Sequence, residues 1–474
     1  MKTSNRHKRV TLECRSIATM LLCCSTILTL PGLLTAQTPW TFQNETNARL
    51  VPDLLAAEDI RTAGQVTGTN PSEWDAATGD VNLDGKMDCV TFRKNTFYSP
   101  GKRTGFVLLN VNGRLVDVTR TTCPDIINNP CNARDVELCD VNGDGFPDAL
   151  VANTFGEDPK LFVNRGNDAN GRWQGFVIAD IWFLTAQGNT SFQLDTPTAP
   201  ATVPGMTSCA LACCDVDDDG DFDLLLTAYP WTIPAGVFSS EDRILINDGN
   251  GRFKEEPNRL NHPFVTGSIT TGVECADMDA DGDMDYVVSH AIGANVVVFN
   301  NGQGVFDSVN AAGTTGIFNY MFGLVHINPD GIPDMYGLGD GQDRTGINLG
   351  NGTFSPPQLV RSRATLVVGG NVKPFYASAL ASAANGDVAD GAAAADMDTI
   401  SSSLFSCTDG HPFTIVENRY VSNNQPHMFD PDFSTLENYE MDGVWDFVFL
   451  DVDCDGLNDI LIFHCDGVDL FIQQ

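Results

Sequence analysis

The chain has 474 residues, 42% of them hydrophobic, and a formal net charge of −35. That apolar content is enough for a large core. The acidic excess, with only 27 Lys and Arg against 62 Asp and Glu, excludes the basic patches that nucleic-acid binding needs.

The N-terminus reads as a secretory signal. Lys2, Arg6, Lys8, Arg9 and Arg15 precede an apolar segment from Ile17 to Leu34, and Ala36 is a suitable last residue before cleavage. The reading is a signal over residues 1–36, with residues 37–474 as the mature chain. A retained anchor is the alternative. No later stretch is long and apolar enough to span a membrane as a helix. A secreted chain of this kind is extracellular or on the cell surface, or periplasmic in a bacterium.

Five copies of one nine-residue pattern follow: DVNLDGKMD from Asp80, DVNGDGFPD from Asp140, DVDDDGDFD from Asp215, DMDADGDMD from Asp277 and DVDCDGLND from Asp451. Each places oxygen side chains at positions 1, 3, 5 and 9. These are Asp80, Asn82, Asp84 and Asp88; Asp140, Asn142, Asp144 and Asp148; Asp215, Asp217, Asp219 and Asp223; Asp277, Asp279, Asp281 and Asp285; and Asp451, Asp453, Asp455 and Asp459. Ca2+ takes six to eight hard oxygen ligands, and alternate residues of a tight loop can point at one centre. The carbonyl of position 7 can add a ligand, and Gly at position 6 suits a turn with positive φ.

An EF-hand is excluded. It needs a Glu at position 12 between two helices. Position 12 here is Thr91, Val151, Leu226, Val288 or Ile462. The short apolar runs after position 9, such as ALVAN and LLLTA, predict buried strands. The loops therefore sit in β-hairpins. A weaker copy, HINPDGIPD, keeps Asn328, Asp330 and Asp334 but begins with His326. Another, at Asp396 and Asp398, has lost the remaining ligands.

A second element recurs after each loop: an apolar strand ending in Asn, then a Gly turn, as in FVLLNVNG and ILINDGNG. Such turns between apolar runs signal hairpins. Each repeat thus predicts four antiparallel strands, which is a propeller blade. Counting both weak copies gives an all-β, seven-bladed β-propeller. The last repeat stops at its third strand, and the segment from Thr41 resembles the outer strand from Arg252. The N-terminal segment is therefore expected to complete the last blade and close the ring.

Of 14 Cys, three lie in the signal. Cys139, Cys214 and Cys275 stand just before metal loops and read as small buried residues. Cys123 and Cys131 are the best local disulfide candidates.

The repeated D-x-[DN]-x-D-G-x-x-D loop with its following strand resembles the FG-GAP and VCBS repeat family, whose structural relative is the propeller of integrin α subunits. The literal FG element survives only at Phe322-Gly323. The resemblance implies Ca2+ loops on one face and partner binding on the other. Candidate ligand positions on that other face are Trp74, Arg93, Arg134, Tyr229, His290, Tyr320, Trp445 and His464. The leading reading is a binding or adhesion module for an extracellular protein or carbohydrate, with structural Ca2+ and no enzymatic activity. The alternatives are a glycan-acting enzyme, polysaccharide-lyase-like, on the same scaffold, and a purely structural surface protein.

Overall fold

The computed structural model describes residues 42–58, 61–62, 72–95, 101–179, 182–185, 188–191, 208–228, 242–261, 270–290, 295–310, 321–325, 330–338, 344–356, 358–359, 366–367, 413–416, 419–422, 444–455, 459–464 and 467–473. The expected signal, Tyr229, Tyr320, His326, Asn328 and the copy at Asp396 lie outside them. The chain divides into Met1–Thr38 and Pro39–Gln474, and every described residue belongs to the second unit. Among the described residues no helix is long and apolar enough to cross a membrane.

The unit is all-β, with a few helices of three to five residues. The repeating element is a four-stranded antiparallel sheet. The first runs through Glu73–Gly79, Asp88–Lys94, Phe106–Asn110 and Leu115–Asp117. The second runs through Ala133–Cys139, Asp148–Asn153, Lys160–Asn164 and Phe176–Ala179. The third uses Ser208–Cys214, Asp223–Ala228, Arg243–Asn247 and Arg252–Glu255, and gains an outer hairpin from Trp182–Thr185 and Gly188–Ser191. The fourth uses Thr270–Ala276, Asp285–His290, Val296–Asn300 and Phe306–Asn310. The fifth uses Met321–Val325, Asp334–Leu338, Arg344–Gly346 and Gln358–Leu359. Leu366–Val367, Phe413–Val416 and Arg419–Ser422 form a smaller sheet.

The last sheet in the chain uses Val444–Leu450, Asp459–His464 and Gly467–Gln473. Its fourth strand is Phe42–Asn44, antiparallel to Gly467–Gln473 with Phe42 opposite Gln473. Thr46 fixes this splice. Its hydroxyl bonds Asn44 Oδ1 at 2.9 Å, and it accepts from the Leu470 amide at 2.7 Å.

The apolar side chains meet between sheets. Val90, Phe92 and Val107 of the first sheet pack against Val136, Val151 and Phe162 of the second. Equivalent cores join the second to the third, the third to the fourth and the fourth to the fifth. The last sheet packs against the first through Trp74, Phe106, Val448, Leu461 and Phe463. Strands buried on both faces explain why the runs after each loop are continuously apolar rather than alternating.

Carboxylates on the first strands of the last, first, second and fourth sheets bind each of these to the sheet that follows. Asp446 accepts the Ala76 amide at 2.7 Å, Asp75 accepts Val136 at 2.7 Å, and Asp135 accepts Leu211 at 2.8 Å. Glu274 does the same for Leu324 at 3.0 Å. Burial, then the nearby Asp135 and Asp446 carboxylates, hold the Asp75 carboxyl well above the usual range.

The cysteine expectation is corrected. Cys139 is bonded to Cys213 and Cys214 to Cys275, while Cys123 and Cys131 are buried free thiols. The bridges link the first strands of the second, third and fourth sheets. Partners 74 and 61 residues apart become neighbours only because successive sheets are stacked, which local spacing does not reveal.

Candidate metal sites

Each loop is the turn of a hairpin, and position 9 is the first residue of the strand that follows. Position 1 holds the turn together. Asp80 accepts the Asp84 amide at 2.9 Å and the Gly85 amide at 2.7 Å. Asp140, Asp215 and Asp277 repeat both bonds. Asp451 accepts the Asp455 amide at 3.1 Å. The carboxylate at position 5 accepts the amide of position 7, from Asp84 to Lys86 through to Asp281 and Asp283. Asp330, in the weak copy, makes the same turn with Ile332.

In the first four loops two residues take a left-handed conformation. Position 6 is Gly, with φ from 85° to 103° in the first four loops. Position 4 is also left-handed: Leu83 (56°), Gly143 (72°), Asp218 (58°), Ala280 (64°) and Cys454 (60°). The sequence hides this second requirement because only one of the five is Gly. The non-Gly residues are held there by the carboxylate bonds around them, at a cost of about 1–3 kcal/mol each.

Position 9 is buried and ties the loop to its own sheet. Asp88 accepts the Val81 amide at 3.1 Å through one oxygen and the Asn110 amide at 2.8 Å through the other. Asp148, Asp223 and Asp285 repeat this with Asn164, Asn247 and Asn300. Asp459 accepts Val452, and Asp334 accepts Asn348. Burial pushes Asp88 up to about 8, helped by Asp84 and Asp80; it lifts Asp148, Asp223 and Asp285 to about 7, again helped by loop carboxylates.

The recurring Asn now has a role. Asn164 Nδ2 donates to Val81 O in the preceding sheet's loop at 2.8 Å and to Pro147 O in its own at 3.0 Å. Asn247 joins Val141 and Phe222, and Asn300 joins Val216 and Met284. Asn348 reaches Met278, and Asn110 reaches Val452 across the contact of the last sheet with the first.

Positions 1, 3 and 9 converge. One oxygen each from Asp215, Asp217 and Asp223 lies within 4.8 Å of the others, and the same holds for Asp277, Asp279 and Asp285 and for Asp451, Asp453 and Asp459. The position 5 carboxylates stand outside these groups. In the first two loops position 3 is Asn82 or Asn142, so the charge at that place is lower. Oδ1 of Asp217, Asp279 and Asp453 is buried and has no hydrogen-bond partner. A buried carboxylate oxygen left unpaired beside two other carboxylates is costly unless a cation completes it. The donor set is all hard oxygen and fits a divalent cation of that class.

The ligand positions expected on the opposite face are corrected where their side chains are described. Arg93 is 0% exposed, Trp74 3% and His290 5%. The Arg93 guanidinium lies 5.3 Å from the Trp74 ring and 5.1 Å from Phe106, and donates to Ser72, Thr104 and Glu58. Arg134 and Lys94 both pair with the buried Glu73. Arg93, Trp74 and His290 are buried, and Arg93, Lys94 and Arg134 pair with acids of the chain itself. Trp445 lies in Val444–Leu450 and His464 ends Asp459–His464, opposite Val444.

Residues 80–151 and 215–288 match the FG-GAP-like repeat. The chain carries FG-GAP-like repeats over these two stretches. Both matches start at position 1 of a metal loop and run into a later repeat's strand or loop, so the FG-GAP unit and the hairpin geometry coincide. None of the curated protein sequences matches the chain. Among solved structures, it is similar to an Agrocybe aegerita lectin described for recognition of non-reducing terminal N-acetylglucosamine, with 18% identity and a TM-score of 0.39. That likeness covers 60% of this chain and 65% of the lectin, so the chain spans just under two thirds of the lectin's length. It is also similar to BBS1N in complex with ARL6DN, at 13% identity over 73% of this chain and 92% of that one, TM-score 0.35. YCF48 bound to D1 peptide matches at 7% identity over 92% and 95%, TM-score 0.37.

Proposed function

We propose that this FG-GAP repeat chain is a secreted propeller of seven blades, its ring closed by Phe42–Asn44, that holds structural Ca2+ and binds an extracellular protein or carbohydrate without catalysing a reaction. The observation that carries the metal reading is the unpartnered Oδ1 of Asp217, Asp279 and Asp453 beside the carboxylates of positions 1 and 9. Bound Ca2+ would offset most of the charge of the three converging carboxylates. The chain's own residues do the rest: position 1 folds the turn, position 9 fixes it to the sheet, and Asn fixes it to the next sheet. Two disulfides between sheets support an oxidising, extracellular setting. The Asn110 and Asp446 bonds between the last and first sheets support a closed ring. Adhesive use is favoured over catalysis because the acids nearest the sheet junctions are committed to backbone amides rather than left open to a substrate.

The experiment has two stages. Metal analysis after dialysis into chelator-free buffer should find Ca2+ retained, and a panel of extracellular proteins and glycans should then yield a binder. A chain that retains and rebinds no Ca2+ defeats the metal reading. Cleavage of a polysaccharide in the same panel transfers the assignment to the glycan-acting enzyme.

A further inference from the structure

Arg49 and Arg259 come from unrelated places in the chain and make the same three contacts. Arg259 Nε donates to Glu256 at 2.6 Å, Nη2 to Asp217 Oδ2 at 3.0 Å, and Nη1 to Gln303 O at 2.9 Å. Arg49 Nε donates to Glu45 at 2.5 Å, Nη2 to Asp453 Oδ2 at 3.1 Å, and Nη1 to Gly113 O at 2.9 Å. Each arginine leaves the outer strand of one sheet, takes the position 3 carboxylate of that sheet's metal loop, and reaches the Asn/Gly turn of the next. The turns make room for it. A Cβ on Gly304 would lie 2.2 Å from Arg259 Nη1, and one on Gly113 would lie 3.1 Å from Arg49 Nη1.

The other oxygen of each carboxylate, Asp217 Oδ1 and Asp453 Oδ1, is buried with no hydrogen-bond partner, and each residue offers one oxygen within 4.8 Å of ligand atoms from positions 1 and 9. The two side chains of the Asp217–Arg259 pair are only 17% and 18% exposed, so screening by water is reduced. The fourth loop is an internal contrast. Asp279 occupies the same place, with the same unpartnered Oδ1, and no cation pairs with it among the described residues.

We propose that Arg49 and Arg259 are resident cations of the last and third metal loops: each holds the position 3 carboxylate toward the site, offsets part of its charge when metal is absent, and keeps the junction with the next sheet closed. Arg49 does so between the last and first sheets, and brings its cation from the N-terminal segment. Among the described residues the fourth loop has no such cation, and in this proposal it depends on the metal itself. This rests on the metal reading above, and deepens it: occupancy of the third and last loops is adjustable without opening the junction, whereas loss of metal from the fourth opens it.

The test is thermal melting of full-length Arg259→Met, Asp217→Asn and the double variant, each in EGTA and in Ca2+. Arg259→Met should melt about 2–4 °C below the wild type in EGTA and gain more than the wild type on adding Ca2+, since a positive charge no longer opposes the ion. Asp217→Asn removes the charge that needs balancing, so adding Arg259→Met to it should cost little in EGTA. A full penalty in that background would show that Arg259 serves only the Gln303 carbonyl, and an unchanged melt of Arg259→Met would refute the role outright. Arg49→Met with Asp453→Asn gives the same reading should the Arg259 variant fail to fold. If the wild type itself ignores Ca2+, the metal reading fails, while the EGTA comparison still decides whether the arginines offset loop charge.

Discussion

Replacing Asn247 with Ala tests whether the metal loops and the sheet junctions are one structure. The side chain is 5% exposed. Its Nδ2 serves Val141 O in the second loop at 2.8 Å and Phe222 O in the third at 2.9 Å, while its Oδ1 accepts Gly249 N at 3.2 Å. Truncation leaves two buried carbonyls without this donor. At about 1 kcal/mol for each hydrogen bond and up to about 3 for a group left unsatisfied, the loss is roughly 2–4 kcal/mol. Asn247→Asp should be at least as damaging, because a carboxylate cannot donate to either carbonyl. Both loops touched by Asn247 should also lose Ca2+ affinity. One site at ten times its Kd adds about 1.4 kcal/mol, so the stabilisation by Ca2+ should shrink by up to roughly 3 kcal/mol. The assay is urea unfolding in EGTA and in Ca2+. A cost below about 1 kcal/mol in EGTA, or a Ca2+ increment equal to that of the wild type, would refute the shared-structure argument.

Chelation should lower the melting temperature of the wild type sharply, since five loops at about 1.4 kcal/mol each approach the whole stability of many domains; an unchanged melt in excess EGTA opposes this. Asp277→Asn should abolish one Ca2+ equivalent in a calorimetric titration, whereas Asp330→Asn, in the copy whose position 1 is His326, should leave the stoichiometry intact. Asp242 is buried with its carboxylate on Ala228 N and Thr270 Oγ1, and burial lifts it to about 7. A raised carboxyl favours folding most below the unfolded value near 4 and loses that contribution as pH rises through 7, at most roughly 4 kcal/mol. Asp242→Asn should therefore gain stability relative to the wild type between pH 5 and 8, and a pH-independent difference in the melts rules this out. Reduction of Cys139–Cys213, which spans 74 residues, should cost about 4 kcal/mol in the chain-entropy estimate, read as a lower denaturation midpoint for Cys213→Ser.

The loops and the sheet type were legible because both follow local rules: an oxygen every second residue, Gly at position 6, and a short apolar run after position 9. The N-terminal strand was legible from its likeness to the segment at Arg252, and Arg49 and Arg259 lie inside that likeness. What joins one sheet to the next was not. Cys139 and Cys213, Asp75 and Val136, or Asn164 and Val81 are distant in sequence and meet only by stacking. Three of the residues expected on the opposite face, Arg93, Trp74 and His290, are buried, which local spacing also does not reveal. A position at a strand end can face solvent or the adjoining sheet, and Arg93, Trp74 and His290 face inward, where Arg93 is neutralised by Glu58 and enclosed by two aromatic rings.

The bonding also explains why the metal grammar and the Asn turn travel together. In a repeat architecture stability is the sum of each unit and its contacts with its neighbours. Asp at position 9 links loop to sheet, Asn links that sheet to the previous loop, and the inner carboxylates carry the same connection along the first strands. A cation that orders one loop therefore tightens two sheets, because the position 2 carbonyl it fixes is the acceptor for the neighbour's Asn. The fifth sheet shows that the coupling can persist without the ligand set. Asp334 and Asn348 keep their bonds to each other and to the fourth loop although position 1 is His326. The junction was thus retained where the metal grammar was lost, which is the order expected if the loops serve the assembly of the sheets and the ions reinforce it.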